Sequence, residues 1–220
     1  MGTMVKSMNF NLANKPYILS EEVEYQIEPI INDEKIESVE IFNNHNPLNI
    51  EVGIGNGEFI EYYADKYKDE NFVGFEIARS IFLKAKKRIC KSNLTNVRLI
   101  NYDGKFFIKL LKEGAVKNFF INFPDPWHKR RHKKRRILKP DFLKILVSKL
   151  ERGGNLFIVT DHEDYAGEIV INLKTISNLK SVFESTYMDK VVDYYYTKYY
   201  RKFVLQKNIV FFFKLVKHEN

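Results

Sequence analysis

From Leu48 onward the chain keeps one rhythm: short apolar runs alternate with longer stretches of helical spacing. Short runs suit buried strands, and apolar residues three and four apart mark one face of a helix. Such alternation builds βαβ units around a parallel sheet. The first run is Leu48 to Val52, followed by a turn with Gly53, Gly55 and Gly57 and a helix over Glu58 to Lys68. The second, Phe72 to Glu76, precedes a helix over Ser80 to Ser92 in which Ile81, Ala85 and Ile89 share a face. The third, Val97 to Asn101, precedes a helix near Lys105 to Lys112, and the fourth, Asn118 to Phe123, leads into a basic segment at 124–140. Pro140 suits the first turn of a helix, which reaches Leu150 and is ended by Gly153 and Gly154. The fifth, Leu156 to Thr160, precedes a helix from Glu163 to Ser177. Strands near Val182 to Tyr187 and at Ile209 to Leu215 close the pattern. The whole reads as a doubly wound α/β fold with a mostly parallel sheet of about seven strands. Residues 1–45 are weakly patterned and read as an N-terminal segment, partly mobile, ahead of a domain spanning 46–220.

Length and charge narrow the class. A chain of 220 residues, 45% of them hydrophobic, is enough for one domain with a real core. It contains no apolar run of the roughly 18 residues that a membrane-spanning helix needs, and its start lacks the order of a secretory signal. Its single cysteine, Cys90, excludes an internal disulfide, and the cytoplasm is the expected location. The net charge of +8 points to a polyanionic partner. Clustering supports this, because residues 128–136 read His-Lys-Arg-Arg-His-Lys-Lys-Arg-Arg. Lysines and arginines there would meet phosphates and release counterions. His128 and His132 lie four apart, but no third ligand motif accompanies them, so no metal is expected. The chain is expected to act as a monomer or a homodimer.

In a doubly wound sheet the ligand lies outside the carboxyl ends of the strands. Glu51, Glu76, Asp103, Asp125 and Asp161 all fall at or just beyond such ends. A dinucleotide would place its pyrophosphate on a G-x-G-x-x-G turn. Here the third glycine comes one residue early, and the carboxylates would repel the phosphates. S-adenosylmethionine has no phosphate and carries an ammonium and a sulfonium, both attracted to acids. Glu76 is assigned to its ribose hydroxyls and Asp103 to the adenine amino group. Glu51 and the glycine turn, Gly53, Gly55 and Gly57, flank the methionine portion. Asp125 stands between Pro124 and Pro126, which restrict the backbone on either side. Trp127 either fills the core or walls the pocket.

The segment Phe123-Pro124-Asp125-Pro126-Trp127-His128-Lys129-Arg130-Arg131-His132, followed by Lys134-Arg135-Arg136, resembles the bacterial tRNA (guanine-N7)-methyltransferases. Glu51-Val52-Gly53-Ile54-Gly55-Asn56-Gly57, Phe75-Glu76-Ile77, Asn96-Val97-Arg98, Thr160-Asp161, Asn14-Lys15-Pro16-Tyr17 and the stretch from Thr197 to Phe203 resemble further parts of that family, in order. The resemblance implies a Rossmann-like class I methyltransferase fold. It also implies methyl transfer from S-adenosylmethionine to N7 of a guanine in the tRNA variable loop, with S-adenosylhomocysteine as the other product. Carried over, Glu51, Glu76, Asp103 and Asp125 line the cofactor site, and Asp125 is also catalytic. Lys129, Asp161, Thr197, Lys198, Tyr199 and Tyr200 contact substrate. Arg130, Arg131, Lys133, Lys134, Arg135 and Arg136 are expected to contact tRNA phosphates. One departure stands out: the family usually has a glutamate where this chain has Tyr200. Three rival readings fit less of the chain. An amino-methyltransferase of adenine or cytosine would carry a second proline where Trp127 stands. A non-catalytic RNA-binding protein leaves the strand-end acids unexplained. A dinucleotide oxidoreductase conflicts with the glycine spacing.

Overall fold

The computed structural model describes residues 16–18, 35–191, 193–205 and 209–218. Its elements are β1 (Tyr17–Ile18), α1 (Ser38–Phe42), β2 (Leu48–Val52), α2 (Glu58–Lys66), β3 (Asn71–Phe75), α3 (Arg79–Ser92), β4 (Val97–Ile100) and α4 (Gly104–Leu110). There follow β5 (Val116–Asn122), a 3-10 turn (Arg130–Arg135), α5 (Pro140–Lys149), β6 (Leu150–Thr160), α6 (Glu163–Leu173), β7 (Leu179–Ser181), α7 (Lys198–Leu205) and β8 (Phe211–Lys217). One sheet runs β1-β4-β3-β2-β5-β6-β8-β7. The pairs from β1 to β6 are parallel, and β8 is antiparallel to both β6 and β7. Six of these strands are the expected ones, β7 lies just before the stretch expected to form the seventh, and the two-residue β1 adds an edge. The order reverses between β2 and β5, and that is where a crevice opens in a doubly wound sheet.

Side-chain alternation assigns each strand residue to one of two layers. Phe119 and Ile121 face a core shared with α1, α4, α5 and α6, where Ile41, Phe107, Leu146 and Ile169 are buried. Phe120 faces the opposite core, formed with α2 and α3 by Phe59, Tyr63, Phe82 and Ile89. Burial on both faces explains why the parallel strands read as nearly continuous apolar runs. From the N-terminal segment, Ile36, Ile41 and Phe42 pack into the first core. Lys86 Nζ sits 3.6 Å from the centre of the Tyr17 ring. Asn14 and Lys15 lie outside the described residues, as does most of the segment whose mobility was expected.

Two sequence expectations are corrected. Gly153 and Gly154 do not end a helix; they lie inside β6. Register slips there, with Leu150 opposite Val116 and Asn155 opposite Asn118. Gly153 has φ 77°, and a Cβ on Gly154 would come within 2.8 Å of the Lys117 carbonyl. Glycine inside a strand marks a bulge of this kind. The apolar stretch Val182 to Tyr187 is a bend rather than a strand. Its apolar character serves packing, since Tyr187 lies edge-on to Phe211 at 5.1 Å. The tail also contains a helix, α7, that the aromatic composition hid.

Candidate active site

The glycine turn after β2 opens a cleft of about 730 Å³ over the carboxyl ends of β2, β3, β4 and β5. Gly53, Gly55 and Gly57 all have positive φ, at 81°, 55° and 77°, a region costly for residues with a Cβ. A Cβ on Gly53 or Gly55 would meet nothing within 4 Å, so both expose backbone to open space where a ligand can approach. Gly57 differs. It caps α2 and faces α3, where a Cβ would lie 3.1 Å from that of Ala85. It shapes the turn and does not line the cleft.

The cleft carboxylates are held in place mainly by backbone donors. Glu76 accepts from Gly55 N–H at 3.1 Å and from Ala78 N–H at 2.9 Å. Asn101 steadies the same turn by donating to the carbonyls of Glu76 (2.7 Å) and Ile77 (3.3 Å). Asp103 caps α4, its Oδ1 accepting from Lys105 N–H at 3.0 Å. Glu51 lies deepest, only 4% exposed. Its Oε1 accepts from Asn122 Nδ2 at 3.0 Å, while Oε2 is buried without a hydrogen bond. Burial pushes its pKa up to about 8, against the pull of Asn122 and with a smaller push from Glu76. A buried carboxylate oxygen without a donor is costly, and an ammonium brought into the cleft would supply both charge and donors. The Asn122 contact continues outward, because Tyr194 OH donates to Asn122 Oδ1. The sequence assigned no role in the site to Asn122, Asn101 or Tyr194. For Asn122, its place beside the Pro-Asp-Pro segment was the available signal.

The Pro-Asp-Pro-Trp segment forms the outer wall, with Phe123, Pro124, Asp125 and Trp127 lining the cleft. Pro124 was expected to hold Phe123 extended, yet Phe123 has φ 48° and Trp127 φ 47°. Residues with bulky side chains in this region cost on the order of 1–3 kcal/mol each. Tertiary contacts hold Phe123 there: its N–H donates to the Val159 carbonyl at 2.7 Å. Its ring meets Tyr199 edge-on at 4.8 Å and lies 6.4 Å from Phe203. Trp127 is half-buried, with Arg135 5.0 Å from its ring centre and His132 edge-on to it.

At the cleft mouth, Thr197 and Tyr199 line the cleft together with Asp125. Tyr199 OH reaches Asp161 Oδ2 at 3.5 Å. Burial, then Asp161 and Asp125, push the Tyr199 hydroxyl up to about 12, so Asp161, Asp125 and Tyr199 share one corner. His128 Nδ1 lies 3.0 Å from His162 Nε2. Since His162 Nδ1 accepts from Tyr165 N–H at 3.2 Å, neutral His162 carries its proton on Nε2 and donates it to His128.

Two expected contacts are corrected. Tyr200 does not face the cleft; it is 8% exposed, with its ring parallel to Tyr196 at 4.1 Å and near Phe212. Arg136 is not a free phosphate ligand. Its side chain is fully buried, donating to the Pro126 carbonyl at 2.7 Å, to Asp164 at 2.6 Å and to Glu168 at 2.6 Å. It ties the Pro-Asp-Pro segment to α6. Lys133 is drawn to Asp164 at 2.8 Å. Lys129, Arg130, Arg131, Lys134 and Arg135 are exposed, and of these only Arg135 lines the cleft.

Residues 45–213 match the profile of the family described as "Putative methyltransferase". A tRNA (guanine-N(7)-)-methyltransferase of Buchnera aphidicola is 36% identical over 173 residues, covering 78% of this chain and 72% of that protein. The chain belongs to the tRNA (guanine-N7)-methyltransferase family. A Thermotoga maritima protein of the same name is 37% identical over 183 residues. That match takes in 82% of this chain but only 57% of the relative's length. Solved structures agree on the fold. An rRNA methylase of Streptococcus thermophilus superposes with a TM-score of 0.55 at 13% identity, over 80% of this chain and 89% of its own. A Streptococcus mutans protein described as "a putative methyltransferase", in complex with SAH, gives 0.53 at 16% identity, over 78% and 89%. The fold is therefore the Rossmann-like class I methyltransferase fold.

Proposed function

We propose that this chain methylates N7 of a guanine in the variable loop of tRNA, using S-adenosylmethionine and releasing S-adenosylhomocysteine. The observation that carries the reading is one cleft with two chemistries. Carboxylates suited to a cation and a ribose line its floor, and a strained Pro-Asp-Pro-Trp wall beside an exposed basic turn forms its mouth. The floor fits the cofactor on two counts: the orphaned Glu51 oxygen calls for a cationic donor, and Gly53 and Gly55 leave open backbone beside it. Glu51 would hold the ammonium and Glu76 the ribose hydroxyls, with Asp103 toward the adenine edge. When bound, the cofactor supplies a methyl group on a sulfonium.

Guanine N7 already carries a lone pair, so the chain needs no strong base and no metal to make a nucleophile. Its task is alignment, and positioning of this kind can contribute roughly 7–11 kcal/mol. Asp125 reaches into the cleft at the mouth, where it can accept from guanine N–H groups and stabilise the positive charge that methylation leaves on the base. Asp161 and Tyr199 would complete the pocket. Lys129, Arg130, Arg131, Lys134 and Arg135 would neutralise tRNA phosphates. The reading includes a cytoplasmic location and a monomer or homodimer. Among the described residues no helix is long and apolar enough to cross a membrane. The test is mass spectrometry of nucleosides from unmodified tRNA incubated with the chain and S-adenosylmethionine. 7-Methylguanosine is the expected product, and a different methylated base, or none, overturns the reading.

A further inference from the structure

Glu58 is the first residue of α2, immediately after the glycine turn, and its side chain lines the cleft. Nothing in its local sequence marks it as more than a helix-start acid. Yet donors from the C-terminal segment converge on its carboxylate. Lys198 N–H lies 3.1 and 3.0 Å from the two oxygens, Tyr195 OH donates at 3.0 Å, and Arg201 Nη2 donates at 3.0 Å. The carboxylate thus satisfies a backbone donor at the start of α7, one of those that helix termini leave open, and it suits the positive end of that helix. Arg201 in turn donates to the Tyr196 carbonyl at 2.6 Å, closing a ring around residues 195–201. The rest of the α2 face adds to the grip. Tyr62 stacks on Tyr195 at 4.1 Å, and Tyr63 OH both donates to the Asp193 carbonyl and accepts from Tyr195 N–H at 3.2 Å. Thr197 and Tyr199, which line the cleft mouth, sit on the segment held this way.

We propose that Glu58 is a positioning residue that clasps the substrate segment 195–201 to the helix that begins at the cofactor turn. This rests on the reading of Thr197 and Tyr199 as guanine-side contacts. One carboxylate then sets the distance between the glycine turn and the substrate wall, without itself touching the reacting atoms.

The test uses the full chain and two variants, Glu58→Ala and the isosteric Glu58→Gln, with two independent readouts. Amide exchange at Lys198 reads the clasp directly, and Glu58→Ala should speed it roughly tenfold or more. Steady-state methylation should show kcat/KM for tRNA reduced roughly tenfold, while calorimetric affinity for S-adenosylhomocysteine stays within about twofold. Glu58→Gln keeps an acceptor for Lys198 N–H but loses the charge facing Arg201, so both readouts should be intermediate. Arg201→Met should add little to Glu58→Ala, as expected of partners in one network. Unchanged Lys198 exchange, or a loss of cofactor affinity in step with the loss of activity, overturns the proposal. Wild-type chain that methylates no tRNA overturns the function proposed above, and the exchange readout still decides the clasp.

Discussion

The floor and the mouth of the cleft hold their charges in opposite ways. On the floor, Glu51, Glu76 and Asp103 are buried or half-buried, and each takes a hydrogen bond from a turn, a cap or a neighbouring strand. At the mouth, Lys129, Arg130, Arg131, Lys134 and Arg135 project from a short 3-10 turn into solvent. Arg136, beneath them, is fixed by Asp164 and Glu168, and Lys133 is paired with Asp164. The difference suits what each side would bind under the proposed function. A small ligand is held by a few atoms in one geometry, so its partners gain from being immobilised in advance. A polyanion presents many equivalent phosphates, and mobile cations neutralise them through counterion release without precise placement. Asp125 stands between the two, exposed yet carried on a backbone strained on both sides at Phe123 and Trp127.

The contrast is most exposed to test at Asp125. Asp125→Asn keeps the shape but not the charge, and kcat should fall by roughly 100-fold or more while the thermal midpoint hardly moves. Near-normal turnover in single-turnover assays would detach the strained wall from catalysis.

Next in size is the pH behaviour of the floor. Glu51 has a folded pKa of about 8, above its ordinary 4.5. Between those values the folded chain keeps a proton that the unfolded chain has released. Stability from this group is therefore complete below pH 4.5 and is lost as pH rises through about 8. Glu51→Gln should flatten that slope in urea titrations across this range, raising stability at alkaline pH by roughly 1–3 kcal/mol. The same variant should weaken binding of S-adenosylhomocysteine. A variant with the wild-type pH slope would show that Glu51 is not the buried acid responsible.

Arg136→Met separates the fixed cation from the free ones. Asp164 is half-exposed and can return to water, so the loss should be limited to roughly 1–3 kcal/mol in urea unfolding. Asp164, whose carboxyl the Lys133 and Arg136 side chains hold down to about 2, should move up toward its ordinary value. The salt dependence of tRNA binding should not change. The smallest effect belongs to the free cations. Arg130→Ala and Lys134→Ala should each lower the slope of log affinity against log salt by roughly 0.7–0.9, with cofactor affinity unaltered. A slope that responds to Arg136 but not to Arg130 would invert the comparison.

Much of the floor was legible because its signals are local. Leu48–Val52 came out as a strand with its exact limits, the glycine turn follows it directly, and each acid lies at or just beyond the end of its own strand. A period of two or of 3.6 and a run of glycines are set by neighbours in the chain. The tail was less legible for the same reason. Tyr196 and Tyr200, like Tyr199 and Phe203, are four apart, yet in a run so rich in tyrosine that spacing did not stand out from composition.

By itself the amino-acid order determined the βα rhythm, the site of the crevice and the basic character of its mouth, all of which depend on short-range pattern. Only the tertiary structure decided which charges are free. Arg136 looks like its neighbours until Asp164 and Glu168 close on it. Glu51 stands out in the sequence as a strand-end acid, but only burial leaves one of its oxygens without a donor. Glu58 gains its partners from residues about 140 positions away. Burial and hydrogen-bond partners belong to pairs of distant segments, and no local pattern in a sequence encodes which segments will meet.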